Sequence, residues 1–172
     1  MLLAGFDAGQ TGTRCRIGRW QDGRWEPVGD GYGPGVCHLA SAGGIDQFRD
    51  AIRISSAKAM NVHPDVTLDG AVMGASGIEQ GSTVQEQATD LLARTLALPR
   101  AQVLATGDER TALRGAFPNH AGIVVISGTG MICLGRNDQG VEHRCGGWCC
   151  LLDGAGSAFD IGHQGLQLTL QM

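Results

Sequence analysis

The chain has 172 residues, which is enough for one domain or slightly more, and it carries a formal net charge of −4 at pH 7. Hydrophobic residues make up 42% and charged residues 17% of the sequence, a balance that excludes a disordered tail and predicts a buried core. Without a basic stripe or a long apolar run, we expect no nucleic-acid partner and no membrane span. The apolar start also breaks at Asp7, too early for a signal peptide, so we expect a cytoplasmic protein.

The first part of the chain alternates between strand and helix patterns. Three short strands separated by Gly-containing turns are predicted over 1–7, 13–19 and 25–32. A helix over 45–60 and a strand over 68–73 then follow. The capping-box pattern Ser82-Thr83-Val84-Gln85 opens a second helix, which ends before Pro99. A strand over 102–106 and a helix over 108–117 complete the series. This order predicts an α/β fold with a mixed sheet flanked by helices. The 28 glycines cluster at turns between these apolar runs, which is typical of proteins whose backbone must approach another group closely.

After residue 118 the pattern begins again. The segment 11–15, TGTRC, resembles the segment 129–133, TGMIC, and each is followed by a polar turn and a further strand. We interpret this as an internal duplication of a hairpin-based unit, although a chance match over so few positions is the alternative. The duplication predicts an N-terminal lobe over 1–118 and an incomplete second lobe over 119–172, whose last element is a helix after Gly156 that runs through Met172.

The tips of the two hairpins are suited to phosphate. Glycine lets backbone N–H groups approach phosphate oxygens, and Thr or Ser hydroxyls add donors. Asp7, at the end of the first strand, can hold Mg²⁺ through its water shell. Two ordinary tight hairpins are the alternative interpretation.

Four segments in order resemble one known family. The segments FDAGQTGT, GIVVISGTGMICLG, ATGDERTALRGAF and CGGWCCLLDGAGSAFDIGHQGLQ are similar to motifs of N-acetylglucosamine kinases and the related BadF/BadG/BcrA/BcrD ATPases. That family lies in the superfamily of acetate and sugar kinases, chaperone ATPases and actin. The resemblance implies a ribonuclease H-like fold in two lobes, with ATP and Mg²⁺ as cofactors and a small-molecule sugar as substrate. It leaves open whether the chain forms a homodimer.

The resemblance also implies roles for individual residues. It makes Asp7 the metal-side carboxylate and Asp108 the general base. The residues implied to contact the nucleotide are Gly9, Thr11, Gly12, Thr13, Ser127, Gly128, Thr129 and Gly130, and those implied on the sugar side are Cys145, Gly146, Gly147, Trp148 and Asp153. A helix N-cap is the alternative for Asp108, and a buried core position is the alternative for Trp148.

The sequence departs from the family pattern at sugar-contact positions. Gly154 replaces an expected Asp, with Asp153 one position early, and Val36 replaces an expected Asn.

A phosphotransferase acting on N-acetylglucosamine or a related amino sugar is the leading hypothesis. The alternatives are an activator ATPase of the 2-hydroxyacyl-CoA dehydratase type, which needs an iron–sulfur cluster, and a non-catalytic remnant or sugar sensor. The six cysteines form no C-x-x-C pair, which favours reduced and mostly buried thiols over a metal site.

Overall fold

The structure is a computed structural model that describes residues 1–61, 67–149 and 151–171. The chain divides into two compact units, Met1–Asp108 and Glu109–Met172. The division falls at the start of the helix that follows the fifth strand. The sequence places the lobe boundary at 118 instead, after that helix.

The first unit is built around a five-stranded mixed sheet in the order β3-β2-β1-β4-β5. β1 pairs antiparallel with β2 and parallel with β4. The strands and helices of this unit are β1 (Leu2–Ala8), β2 (Gly12–Gln21), β3 (Arg24–Pro34), α1 (Gly44–Met60), β4 (Gly70–Ala75), α2 (Thr83–Leu96) and β5 (Val103–Thr106), with a short 3-10 turn over Arg100–Gln102 before β5. This architecture confirms the predicted α/β fold with a mixed sheet.

One face of this sheet forms the core together with α1 and α2. Alternate residues of β1 are buried, because successive side chains of a strand point to opposite faces. The same alternation continues on β2 and β4, and Phe48 and Ile52 of α1 pack into this cluster. The buried apolar residues of the three strands are Leu2, Ala4, Phe6, Ala8, Cys15, Ile17, Ala71, Met73 and Ala75.

The strand β3 contacts α1 through glycines inside the strand. A Cβ atom on Gly29 would lie 2.0 Å from the Ala59 carbonyl oxygen, and one on Gly31 would lie 2.0 Å from the Ser55 carbonyl oxygen. Both glycines lie in the strand predicted over 25–32, and they show the close backbone approach expected of the glycines, although at a helix contact and not at a turn. They sit within β3 and allow the helix backbone to approach the sheet closely.

The edge strand β5 is held by side chains of α2. The Ala105 N–H donates to Thr89 Oγ1 (3.1 Å), and the Ala105 carbonyl accepts from Gln85 Nε2 (3.1 Å). Thr89 in turn donates to the Gln85 carbonyl of its own helix. These bonds give partners to the Ala105 N–H and carbonyl, which the edge of the sheet would otherwise leave unpaired, and they fix the end of β5 that leads to Asp108.

The second unit contains a three-stranded antiparallel sheet between two helices in the sequence. Its elements are α3 (Asp108–Ala116, beginning at the unit boundary), β6 (Gly122–Ser127), β7 (Met131–Arg136), β8 (Glu142–Gly146) and α4 (Ala158–Leu170). The strand order β6-β7-β8 repeats the antiparallel succession of β1, β2 and β3, as the duplication predicts. The predicted last helix ends at Leu170, and Met172 lies outside the described residues.

Apolar side chains of the second unit are widely exposed. Ile123 and Val125 of β6 are exposed, and none of the described residues of α4 is buried. Exposed apolar surface of this extent marks a region that another part of a protein or a partner can cover. Among the described residues, no helix is long and apolar enough to cross a membrane.

Candidate functional site

The turn between β1 and β2 is closed by backbone hydrogen bonds. The Gly9 N–H donates to the Gly12 carbonyl (3.0 Å), and the Gly9 carbonyl accepts from the Val36 N–H (2.9 Å). A Cβ atom on Gly35 would lie 2.1 Å from the Gln10 carbonyl oxygen, so only glycine lets this segment press against the turn. Val36 itself is buried. The segment after β3 therefore clamps the turn by its backbone, a role that the sequence did not reveal.

The polar side chains of this turn differ in exposure. Asp7 and Thr11 are exposed, whereas Thr13 is buried, with 1% of its surface exposed. The Thr13 hydroxyl has no hydrogen-bond partner among the described residues. Thr13, Cys15 and Ile17 are every second residue of β2 and share one face, so Thr13 lies on the α1 side of the sheet. Of the two threonines predicted to contact phosphate, Thr11 is exposed at the turn and Thr13 is not.

Replacing Thr13 by Val tests the buried hydroxyl. We expect the free energy of unfolding to rise by about 1 kcal/mol, because an unpaired buried hydroxyl costs about 1–3 kcal/mol. Urea unfolding followed by circular dichroism measures the change. Thr11→Val is the matched control, since an exposed position should change stability by no more than about 0.5 kcal/mol. A clear loss of stability in Thr13→Val would mean that the hydroxyl has a partner in solution.

Asp108 lies at a strand-to-helix junction. β5 ends at Thr106, and the helix α3 begins at Asp108, which is half-buried. A carboxylate in the first turn of a helix is favoured by the partial positive charge of the helix N-terminus. The structure thus places Asp108 at the first position of α3, whereas an N-cap residue would lie just before the helix. The role of general base stays a prediction.

The loop 127–130 joins β6 to β7 and meets the start of α4. Ser127 Oγ donates to the Gly156 carbonyl (2.8 Å), and the Ala158 N–H donates to the Gly128 carbonyl (2.9 Å). The Gly128 N–H donates to the Gly130 carbonyl within the loop. The structure therefore brings the predicted second phosphate loop together with a helix N-terminus, where backbone N–H groups favour anions.

The start of α4 is capped by a side-chain pair. Ser157 is the N-cap and accepts from the Asp160 N–H (3.2 Å), while Asp160 Oδ2 accepts from the Gly156 N–H (2.8 Å). Hydrogen bonds from Gln164 and from the Gly156 N–H lower the pKa of Asp160. The S-x-x-D spacing of this pair is a capping signal that the sequence analysis missed.

The predicted sugar-side loop follows β8 and has a constrained backbone. Gly146 and Gly147 have φ of 83° and 80°, and Cys149, with φ of 89°, adopts a left-handed conformation that costs a non-glycine residue energy. Trp148 is 59% exposed, so the alternative of a buried core position is wrong. The Arg144 guanidinium carbon lies 4.0 Å from the Trp148 ring centroid, a cation–π contact that orients the indole.

The pairing of β7 with β8 brings this loop close to the phosphate loop. Gly146 lies opposite Ile132, and a Cβ atom on Gly146 would lie 3.0 Å from Met131 Sδ. Met131 follows Gly130 directly in the chain. Residues predicted from two separate motifs of the second unit are thus neighbours at one end of its sheet.

Asp153 lies beside a separate cavity of about 380 Å³ between the loop 151–155 and α4. Asp153, Asp160 and His163 supply its titratable groups, and Leu152 and Phe159 supply apolar surface. The neighbouring Gly154, at the departure from the family pattern, is buried. The structure therefore places Asp153, one of the predicted sugar-side residues, on the wall of this cavity.

The cysteines do not follow the predicted burial. Cys15 is buried, but Cys145 and Cys149 are exposed and Cys37 and Cys133 are intermediate. Cys150 lies outside the described residues. The expectation of mostly buried thiols is therefore wrong, because the described residues of the second unit leave Cys145 on β8 and Cys149 in the loop after it exposed.

Alkylation should separate the buried thiol from the exposed ones. Burial, assisted by the nearby charge of Asp30, raises the pKa of Cys15 to about 12 from a usual 9.0. We expect iodoacetamide at pH 8 to label Cys145 at least about a hundredfold faster than Cys15, because the thiolate is the reactive form. Peptide mass mapping measures both rates. The folded-state pKa lies above the unfolded one, so the contribution of Cys15 to stability is present below about pH 9 and is lost as the pH rises towards 12.

The residues fit a magnesium ion that arrives with a nucleotide. Among the residues that the structure describes, no group of three or more His, Cys, Asp or Glu side chains could hold a metal ion. Asp7 offers one exposed carboxylate beside the first turn. Mg²⁺ in such sites takes most ligands from water and substrate phosphates and only one or two from carboxylates. A single carboxylate beside the turn fits the part that such a Mg²⁺–phosphate complex would ask of the protein.

Two curated proteins are similar in sequence over part of the chain. An N-acetylmuramic acid/N-acetylglucosamine kinase from Clostridium acetobutylicum is 40% identical over 70 residues, which is 41% of this chain and 23% of that protein. An N-acetyl-D-glucosamine kinase from Dictyostelium discoideum is 33% identical over 111 residues, which is 62% of this chain and 33% of that protein. The chain thus spans a third or less of these relatives. No family model matches it.

Solved structures resemble the chain over nearly its whole length. A protein from Chromobacterium violaceum, provisionally assigned as an N-acetylglucosamine kinase, superposes with a TM-score of 0.77 at 25% identity, covering 98% of this chain and 56% of that one. A ROK hexokinase from Thermus thermophilus gives a TM-score of 0.62 at 13% identity, covering 99% of this chain and 65% of that one, which supports the fold alone. The chain is therefore related in sequence to N-acetylglucosamine kinases, and its fold is the ribonuclease H-like fold of actin-like ATPases.

Proposed function

We propose that this chain takes part in ATP-dependent phosphorylation of N-acetylglucosamine or a related amino sugar. The observation that carries the proposal is the 33% identity over 111 residues to an N-acetyl-D-glucosamine kinase. The two loops at Gly9–Thr13 and Ser127–Gly130 support it, because each offers one exposed threonine hydroxyl, that of Thr11 or Thr129, and glycine backbone that a phosphate can approach closely. Mg²⁺, held by Asp7 and the phosphates, would offset the charge of the phosphate oxygens when bound.

In this proposal Asp108 is the general base. Its carboxylate accepts the proton of the acceptor hydroxyl while the sugar oxygen bonds to the γ-phosphorus and the bond to ADP breaks. The products are the sugar phosphate, ADP and one proton. A half-buried carboxylate at the start of α3 is suited to this role, because the helix fixes the position of its backbone.

Trp148 and its loop are proposed to orient the sugar. An exposed indole presents an apolar face on which a sugar ring can pack, and the Arg144 guanidinium fixes the plane of that indole from the other side. The Gly146 and Gly147 backbone provides close approach at the same edge.

The test is ADP formation by the purified chain with ATP and Mg²⁺. We expect N-acetylglucosamine to raise ADP release strongly over a control without sugar, and glucose to do so less. The sugar phosphate is identified by mass spectrometry. ATP hydrolysis that no sugar accelerates would favour an ATPase over a sugar kinase.

A non-catalytic sugar sensor is the second candidate. It is favoured by Val36, which is buried and therefore cannot supply the sugar contact expected of an Asn at that position. Isothermal titration with N-acetylglucosamine separates the two candidates. Saturable sugar binding without any ADP formation would identify a sensor.

A further inference from the structure

A second cavity of about 250 Å³ lies at the opposite end of β7 from the phosphate loop. Arg114, Asn119, His120, Arg136, Asn137 and Asp138 contribute polar groups to its wall. β7 begins at Met131, beside the phosphate loop, and ends at Arg136. Five steps of about 3.3 Å along a strand separate these ends by roughly 17 Å. The cavity therefore lies outside the candidate site described above.

Arg136 is a buried cation with an incomplete set of acceptors. Its side chain is 7% exposed, and its Nη2 donates to the Phe117 and His120 carbonyls. Phe117 follows the last residue of α3, so this contact also meets the negative end of that helix. The second terminal nitrogen, Nη1, is buried and has no hydrogen-bond partner among the described residues. A buried donor without an acceptor calls for an explanation such as a bound ion.

Nearby carboxylates do not neutralise Arg136. Glu142 lies opposite Arg136 in the pairing of β7 with β8, but its carboxylate is used elsewhere. One oxygen lies 3.2 Å from Arg110 Nε and the other 3.9 Å from Arg114 Nη2. Asp138 is the carboxylate on the cavity wall, and it is exposed to solvent. Within the described part of the chain, the guanidinium of Arg136 thus carries its charge without an ion pair of its own.

The geometry points to a binding site for a small oxyanion of the phosphate class in this cavity. Arg136 supplies a buried guanidinium, and Arg114, whose side chain is 65% exposed, supplies a second one at the rim. Asn137 Oδ1 accepts from the Val141 N–H (2.9 Å), which leaves the amide NH₂ of Asn137 as a donor. Forked guanidinium donors match the several oxygens of a phosphate better than a single ammonium does. The volume is several times the roughly 30 Å³ of a water molecule, so a phosphate group fits.

The ligand is inorganic phosphate or the phosphate group of a small metabolite, and the arms of one experiment separate these sources. The ¹⁵N-labelled chain is titrated with inorganic phosphate, with glucose 6-phosphate and, as a carboxylate control, with acetate, each in the presence of saturating ATP and Mg²⁺. We expect the backbone amides of Ala121, Asn137 and Gly140 to shift saturably with phosphate. The amides of Gly128 and Gly130 report the candidate nucleotide loop and should stay unchanged. Tighter binding of glucose 6-phosphate than of phosphate would identify a phosphorylated metabolite.

Variants decide whether the two arginines bind the ion. We expect Arg114→Gln to weaken phosphate binding about tenfold or more, as expected for the loss of a charge-assisted hydrogen bond. Arg136→Lys keeps the charge but loses the forked geometry and should weaken binding as well, with the amide spectrum showing that the chain still folds. Arg94→Gln, an exposed position on α2, is the matched control and should bind as the unchanged chain does.

Two results would overturn the proposal. One is the absence of saturable shifts at Ala121, Asn137 and Gly140 at about 10 mM phosphate, a concentration at which even millimolar affinity is evident. The other is binding by Arg114→Gln and Arg136→Lys that equals that of the unchanged chain. Either result leaves the proposed kinase activity untouched, because that activity rests on other residues and is measured by ADP formation.

Discussion

Replacing Asp108 by Asn is expected to lower the turnover number of sugar phosphorylation by about a hundredfold to ten-thousandfold. The amide cannot accept the proton of the acceptor hydroxyl, but it has nearly the same shape as the carboxylate. The steady-state rate of ADP formation at saturating ATP and N-acetylglucosamine measures the loss. The free energy of unfolding should fall by no more than about 1 kcal/mol, which is the worth of a carboxylate at a helix N-terminus.

Asp46→Asn is the matched control for this change. Asp46 is an acidic residue in the first turn of α1 and pairs with Arg49 on the surface, at 2.6 Å. The same chemical change there should cost a similar small amount of stability and leave turnover unaffected. Because both variants lose one carboxylate from a helix start, a difference between them isolates the role of Asp108 in the reaction. Turnover by Asp108→Asn within about threefold of the unchanged chain would remove Asp108 from the mechanism.

Local patterns predicted the order of strands and helices well. Short runs separated by Gly-containing turns identified β1 and β2, and the capping signal at Ser82 identified the start of α2. These signals are local, because turns and helix caps depend on residues that lie within a few positions of one another. The Gln of the predicted capping box does bond to backbone, but to the Gly81 N–H instead of the Ser82 N–H.

Long-range contacts could not be predicted in the same way. The Val36 N–H that holds the first phosphate turn contacts Gly9, 27 positions earlier, and no local pattern marks it. The carbonyls that accept from Arg136 Nη2 likewise belong to Phe117 and His120, 19 and 16 positions earlier. Family motifs located the candidate site residues, but their arrangement in each unit, such as the meeting of loop 127–130 with the start of α4, came from the structure.

The glycines of β3 show the same limit most clearly. The segment Gly29-Asp30-Gly31-Tyr32-Gly33 lies in a predicted strand, but the sequence does not indicate that its alternate glycines face α1. The requirement for glycine comes from the helix backbone on the other side of the contact. Ser55 adds to this close packing, because its hydroxyl bonds back to the Ala51 carbonyl of its own helix (2.6 Å) and needs no room outside it.

Replacing Gly31 by Ala is therefore expected to destabilise the first unit strongly. The added Cβ would lie 2.0 Å from the Ser55 carbonyl oxygen and 2.5 Å from the Ala59 nitrogen, both of which are backbone atoms that no side-chain rotation can move. The helix α1 or the strand β3 must shift as a whole, and we expect a loss of at least about 3 kcal/mol in the free energy of unfolding. Urea unfolding followed by circular dichroism measures this loss.

Gly115→Ala provides the opposite result for the same chemical change. Gly115 lies in the helix α3, and a Cβ atom there would meet nothing within 4 Å. Alanine is the better helix former, so this variant should gain about 0.5–1 kcal/mol. Since β3 leads through Pro34 into the Gly35–Val36 segment that clamps the first phosphate turn, Gly31→Ala should also weaken ATP binding, whereas Gly115→Ala should not. Equal stability of the two variants would show that α1 lies farther from β3 in solution than the close approach requires.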